Sequence, residues 1–150
     1  MVEIATLADL ENWVGRELGV SDWITIDQVR IDGFAEATED RQWIHIDTER
    51  ARADMPDGRT IAHGFLTLSL TAGLMAFSVL GASRAINYGL NRVRFTNTVP
   101  AGSKVRLRQS LASTEPIKGG GVRCTIDNTV EIKGTDRPAL VGQGLIVFYP

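Results

Sequence analysis

The run GFLTLSLTAGLMAFSVLGAS, residues 64–83, carries no charged side chain at any of its positions. A stretch of that length is long enough to cross a bilayer. Hydroxyls at Thr67, Ser69, Thr71, Ser78 and Ser83 dilute it, and glycines sit at 64, 73 and 81. The reading adopted is one long helix, apolar nearly all round and buried in protein rather than in lipid. Such a helix needs cover on several sides, and the rest of the chain must provide it.

The C-terminal half has the pattern for this. Val105, Leu107 and Leu111 alternate with Lys104, Arg106, Arg108 and Ser110. Val122, Cys124, Ile126, Val130 and Ile132 repeat the same period of two, so these are strands with one wet face. NRVRFTNTVPAGSKVRLR (91–108) reads as strand, Pro-Ala-Gly turn, strand. KGGG (118–121) and KGTDRP (133–138) are the next turns. ALVGQGLIVFY (139–149) is apolar on both faces and reads as an interior strand.

The N-terminal half reads as short helices. ATLADLENWVGRELG (5–19) is a first helix, with Thr6 and Asp9 as a capping box and Gly19 as its stop. WITI (23–26) is a short strand. Asp27 then caps a helix carrying Ile31, Phe34, Ala35 and Thr38 at helical spacing. Another short helix starts at Asp47 or Thr48 and runs to about Asp54, before the turn MPDGR (55–59). Helices segregated from strands predict an α+β fold: a curved antiparallel sheet wrapped on one long central helix.

Composition bounds the function. The 150 residues suit a single domain spanning 1–150. A net charge of −2 and a pI near 5.7 leave no electrostatic footprint for nucleic acid or an anionic membrane. The lone Cys124 cannot form an internal disulfide, and the N-terminus lacks a basic segment followed by an apolar run. A cytoplasmic location is the expectation. No phosphate-binding glycine loop and no Gly-x-Ser-x-Gly elbow occurs, and Cys124 alternates inside a strand as a small core residue.

Chemistry concentrates in EDRQWIHID, residues 39–47. Asp40 and His45 lie five apart, roughly 140° around a helix, so they meet only if the backbone turns between them. The stretch lies where the Asp27-capped helix ends. One reading is structural, with Asp40 turning the chain and His45 on the surface. Another is a metal site drawn from Asp40, His45, Asp47 and His63, whose spacing matches no compact ligand motif. The third is an acid–base pair.

GFAEATEDRQWIHIDTERA followed by GRTIAHGFLTLSL resembles the MaoC-like family of (R)-specific enoyl-CoA hydratases, its NodN-like branch in particular. The family pattern is Asp, four residues, His, then an Ala-His-Gly element opening a buried helix. Asp40, His45 and Ala62-His63-Gly64 fill it, and NYGLNRVRFTNTVPAGS is similar to the family's strand and turn. The usual Asp-x-Asn-Pro-x-His has Gln42 for Asn and Trp43 for Pro here. Gln42 keeps an amide, whereas Trp43 lacks the proline's backbone restriction.

The resemblance implies the hot-dog fold, usually dimerised, and reversible syn hydration of a trans-2-enoyl-CoA to an (R)-3-hydroxyacyl-CoA. It implies Asp40 and His45 as holders of the reacting water and the Gly64 N–H as donor to the thioester oxygen. Gln42 and His63 are implied to position the pair or the substrate. No cofactor is implied, since coenzyme A arrives with the substrate. Arg84, Arg92 and Arg94 are candidates for its phosphates but stay outside the site. The same fold could also serve a thioesterase or a non-catalytic acyl-CoA or acyl-carrier binding protein.

Overall fold

The computed structural model describes residues 1–150. Strand β1 (Val2–Ile4) leads into a 3₁₀ helix at Ala8–Trp13. Strands β2 (Glu17–Val20) and β3 (Ile24–Ile26) follow, then helices α1 (Gln28–Thr38), α2 (Trp43–Ile46), α3 (Thr48–Asp54) and α4 (Gly64–Gly73). The rest is strand: β4 (Phe77–Val79), β5 (Arg84–Phe95), β6 (Ser103–Pro116), β7 (Val122–Ile132) and β8 (Leu140–Tyr149).

The main sheet runs β2-β6-β7-β8-β5, with β3 also on β6, and every pairing in it is antiparallel. The wet-face alternation read from the sequence is present. Val105, Leu107, Leu111, Cys124, Ile126 and Val130 are fully buried, while Arg106 and Arg108 reach over to Glu131 on the other face at 2.6 and 2.8 Å. β8 is an interior strand, between β7 and β5, as its two-sided apolar pattern requires.

The local signals of the first half also hold. Thr6 and Asp9 exchange the hydrogen bonds of a capping box, although the helix they start is a single 3₁₀ stretch. Asp27 accepts from the Arg30 N–H and Asp47 from the Arg50 N–H, both at 2.9 Å. Gly19 does not stop a helix. It lies in β2, at a register shift against β6, where a Cβ would come within 2.7 Å of the Ala76 carbonyl oxygen.

The apolar run departs from expectation in two ways. The helix ends at Gly73, and Phe77–Val79 pairs in parallel with Val2–Ile4 as a separate two-stranded sheet. That pairing buries Ile4, Phe77 and Val79 with Leu10, Leu18 and Phe148 in a second core cluster. Each such side chain contributes about 1.5–3 kcal/mol when fully buried. Nor is α4 covered all round. Leu66 and Thr67 face the main core, but Phe65, Ser69, Ala72 and Gly73 form an exposed stripe. No helix is long and apolar enough to cross a membrane.

Candidate active site

Helix α1 ends at Thr38 because Glu39 turns into the left-handed region, φ 62°, the one non-glycine residue with positive φ. Such a backbone costs a residue with a Cβ about 1–2 kcal/mol. It redirects Asp40–Gln42 out of the helix before α2 begins at Trp43. The turn between Asp40 and His45 lies in the non-helical Arg41–Gln42 segment, where Gln42 has φ −57° and ψ 135°, and the Asp40 carboxylate, His45 and His63 come together. One ligand-type atom from each lies within 4.8 Å of the others.

His45 is buried, and its Nδ1 lies 2.7 Å from the Ile61 carbonyl. A carbonyl only accepts, so Nδ1–H donates and Nε2 is left with its lone pair free. Burial is the main influence on this imidazole. It lowers the pKa below the ordinary 6.5, opposed by the Ile61 hydrogen bond, and nearby His63 lowers it further against the pull of Asp40. Burial therefore favours the neutral form of His45.

His63 is the residue that ties the site together. It is 2% exposed, stacks on His45 with ring centroids 3.7 Å apart and 25° between planes, and packs against Phe34 at 5.0 Å. Its Nε2–H donates to the Asp40 carbonyl at 2.9 Å, and its Nδ1 has no partner. The stack also bears on the metal alternative. Near-parallel rings set their in-plane lone pairs side by side rather than converging on one ion. Asp47, the fourth candidate ligand, is occupied as the cap of α3.

Gly64 follows directly as the first residue of α4. The other long helix, α1, has a side-chain cap, but no side chain caps this one. Its first-turn N–H groups are thus free for an oxygen brought from outside. A Cβ at Gly64 would sit 3.1 Å from the Phe95 ring, so the residue is small for a packing reason.

Gln42 is exposed at the start of α2. Its backbone carbonyl receives the His45 N–H, and its side-chain amide makes no hydrogen bond within the chain. Trp43 stacks under Arg50, with the guanidinium 4.0 Å from the ring. Arg84 lies over Tyr149, Arg92 is 3.9 Å from Asp127, and Arg94 donates to the Val93 carbonyl. Burial pushes the Cys124 thiol up to about 12, which disqualifies it as a nucleophile.

Sequence reasoning did not single out Gln28, Ile61 or Phe34's contact with His63. Gln28 donates to the His45 carbonyl at 2.8 Å and accepts from the Thr60 hydroxyl, holding α2 against the α1 start. A backbone carbonyl such as Ile61's carries no side-chain signal at all.

The MaoC like domain family matches residues 9–132. The chain belongs to the MaoC-like family. Among curated relatives of this MaoC-like protein, 3-hydroxyacyl-thioester dehydratase Z of Mycobacterium tuberculosis is 48% identical over 143 residues, covering 94% of each chain. Nodulation protein N of Rhizobium leguminosarum is 46% identical over 146 residues, covering 95% of this chain and 90% of that one. Among solved structures, the R-hydratase PhaJ1 of Pseudomonas aeruginosa superposes with a TM-score of 0.75 at 24% identity, covering 97% and 86% of the two chains. The fold is the hot-dog fold.

Proposed function

We propose that this MaoC-like protein is a hydro-lyase that interconverts trans-2-enoyl thioesters and (R)-3-hydroxyacyl thioesters by syn addition and loss of water. The carrying observation is the His45 tautomer. Its Nδ1–H is committed to Ile61, so Nε2 presents a lone pair within the Asp40 cluster. A water held between Asp40 and His45 gives one proton to these two residues as its oxygen attacks C3, and they return a proton to C2 on the same face. Negative charge grows on the thioester oxygen, and the uncapped Gly64 N–H is the donor that meets it. Donors of this kind are worth about 2.7–4 kcal/mol in other enzymes.

His63 acts by positioning: it holds the Asp40 backbone and stacks against His45. Gln42 stands at the rim, where its free amide can reach substrate. The relatives named for 3-hydroxyacyl-thioester dehydration and (R)-hydration support this reading. No cofactor takes part, since coenzyme A or a carrier arm comes with the substrate. With one buried cysteine, Cys124, the protein suits a reducing cytoplasm.

The working form is a homodimer. β5 is a terminal strand of the sheet, twelve residues long, with Ile86, Tyr88, Leu90 and Phe95 exposed. A second copy that pairs edge to edge along β5 covers that edge. Sedimentation at micromolar concentration checks this: a lone 16.4 kDa species overturns it.

The activity test is the absorbance of crotonyl-CoA and longer trans-2-enoyl-CoAs, with thiol release followed in parallel. Loss of the enoyl absorbance without free thiol is the expected result. Thiol release would instead identify a thioesterase, and binding without turnover a non-catalytic acyl-thioester protein.

A further inference from the structure

The alternation along β6 and β7 is broken at one position in each strand. On the core face, Val105, Leu107 and Leu111 are interrupted by Gln109, and Ile126 and Val130 by Asn128. The two exceptions are direct partners in the strand register. Gln109 is 2% exposed. Two amides set opposite each other on an apolar face are costly unless something uses them.

Their orientation is determined at both ends by backbone. The Ala76 N–H can only donate, so the Gln109 oxygen faces it, at 3.2 Å. The Gln109 nitrogen then donates to the Asn128 oxygen at 2.9 Å, and the Asn128 nitrogen donates to the Ile126 carbonyl at 3.3 Å. Both oxygens are thereby engaged. An amide nitrogen has two N–H groups, so each side chain keeps one uncommitted N–H that an acceptor oxygen can meet.

Both amides line a cavity of about 330 Å³ between α4, β5 and β8. Leu68, Thr71 and Ala72 form its helical wall, and they share a face with Gly64 at the i, i+4, i+7, i+8 spacing. The cavity thus starts one turn beyond the Gly64 N–H and extends roughly 6–12 Å along the helix axis. Gly144 keeps it open beside the amides, because a Cβ there would come within 3.2 Å of the Asn128 nitrogen.

We propose that this cavity takes the substrate's acyl chain, and that Gln109 and Asn128 select chains bearing an oxygen acceptor several carbons beyond the double bond. A keto, ether or hydroxyl oxygen meets the two free N–H groups, whereas a plain hydrocarbon buries them unmatched. This rests on the hydro-lyase reading above.

The test uses two trans-2-enoyl-CoAs of equal length, one plain and one with a keto or ether oxygen in its distal half. Wild type is expected to favour the oxygenated chain in kcat/KM by about tenfold or more. Gln109→Leu and Asn128→Leu are each expected to lower that ratio by about tenfold. Gly144→Ala crowds the amide without removing it and lowers the ratio in the same direction, so selectivity can still be read if Gln109→Leu fails to fold. Crotonyl-CoA turnover without any preference between the long chains overturns the role of the amide pair alone, as does a ratio unmoved in the folded variants. No turnover of any chain overturns the hydro-lyase reading along with it.

Discussion

Helices α1 and α4 begin in opposite ways. α1 starts with Asp27, whose carboxylate accepts an amide hydrogen of its own first turn. α4 starts with His63, whose side chain points away from its own helix, to the Asp40 carbonyl and the His45 ring. One helix start is closed by its own sequence. The other is left open, and the residue where a cap would stand contacts Asp40 and His45 instead. The difference separates a structural terminus from one that can receive a developing oxyanion.

The contrast is most easily broken at the open end. Asp40→Asn or His45→Gln is expected to cut kcat by about 10²–10⁴-fold on crotonyl-CoA, the range for lost general acid–base catalysis. Circular dichroism should show both variants folded, and full activity in either would remove the dyad. Replacing His63 by Phe keeps a stacking ring but loses the Asp40 tether and a neighbour that depresses the His45 pKa. A loss of about tenfold in kcat is expected.

The pH profile distinguishes positioning from mere packing. His45 is an imidazole with a lowered pKa, so it gains its proton at lower pH than an ordinary imidazole. The acid limb of kcat/KM should therefore have its midpoint below 6.5, and His63→Phe should move it upward. The same sign holds for stability. The unfolded chain binds a proton near 6.5 and the folded chain does not, so the contribution of His45 is present above 6.5 and lost as pH falls through its folded pKa. A limb that does not move in His63→Phe would leave His63 with a structural role only.

The closed end gives smaller effects of a different kind. Asp27→Ala should cost about 1 kcal/mol in urea unfolding while kcat stays at the wild-type value. At the turn between α1 and the dyad, Glu39→Gly should relieve the left-handed backbone and raise stability by up to about 1 kcal/mol. A loss of stability there would mean that Glu39 contributes more through its side chain than its backbone costs.

Many of these features are legible in the amino-acid sequence. The caps at Asp27 and Asp47, the capping box and the period-two strands are local patterns, and local geometry honours them. The Asp40–His45 spacing implies a turn, and the non-helical segment ending at Gln42 makes it. The apolar run at 64–83 misleads, because a short apolar segment carries no period that tells strand from helix. Gln109 and Asn128 stand in plain view as breaks in two alternating strands, but only the register makes them one pair.

By itself, then, the sequence determined the caps of α1 and α3, which strand faces are wet and which residues could exchange protons, because each depends on neighbours a few positions apart. The tertiary structure alone decided that the helix stops at Gly73 so that Phe77–Val79 can pair with Val2–Ile4. It also decided that the Ile61 carbonyl selects the His45 tautomer. Both outcomes turn on backbone hydrogen-bonding groups, which every residue carries alike. Their partners are assigned only when distant parts of the chain come together.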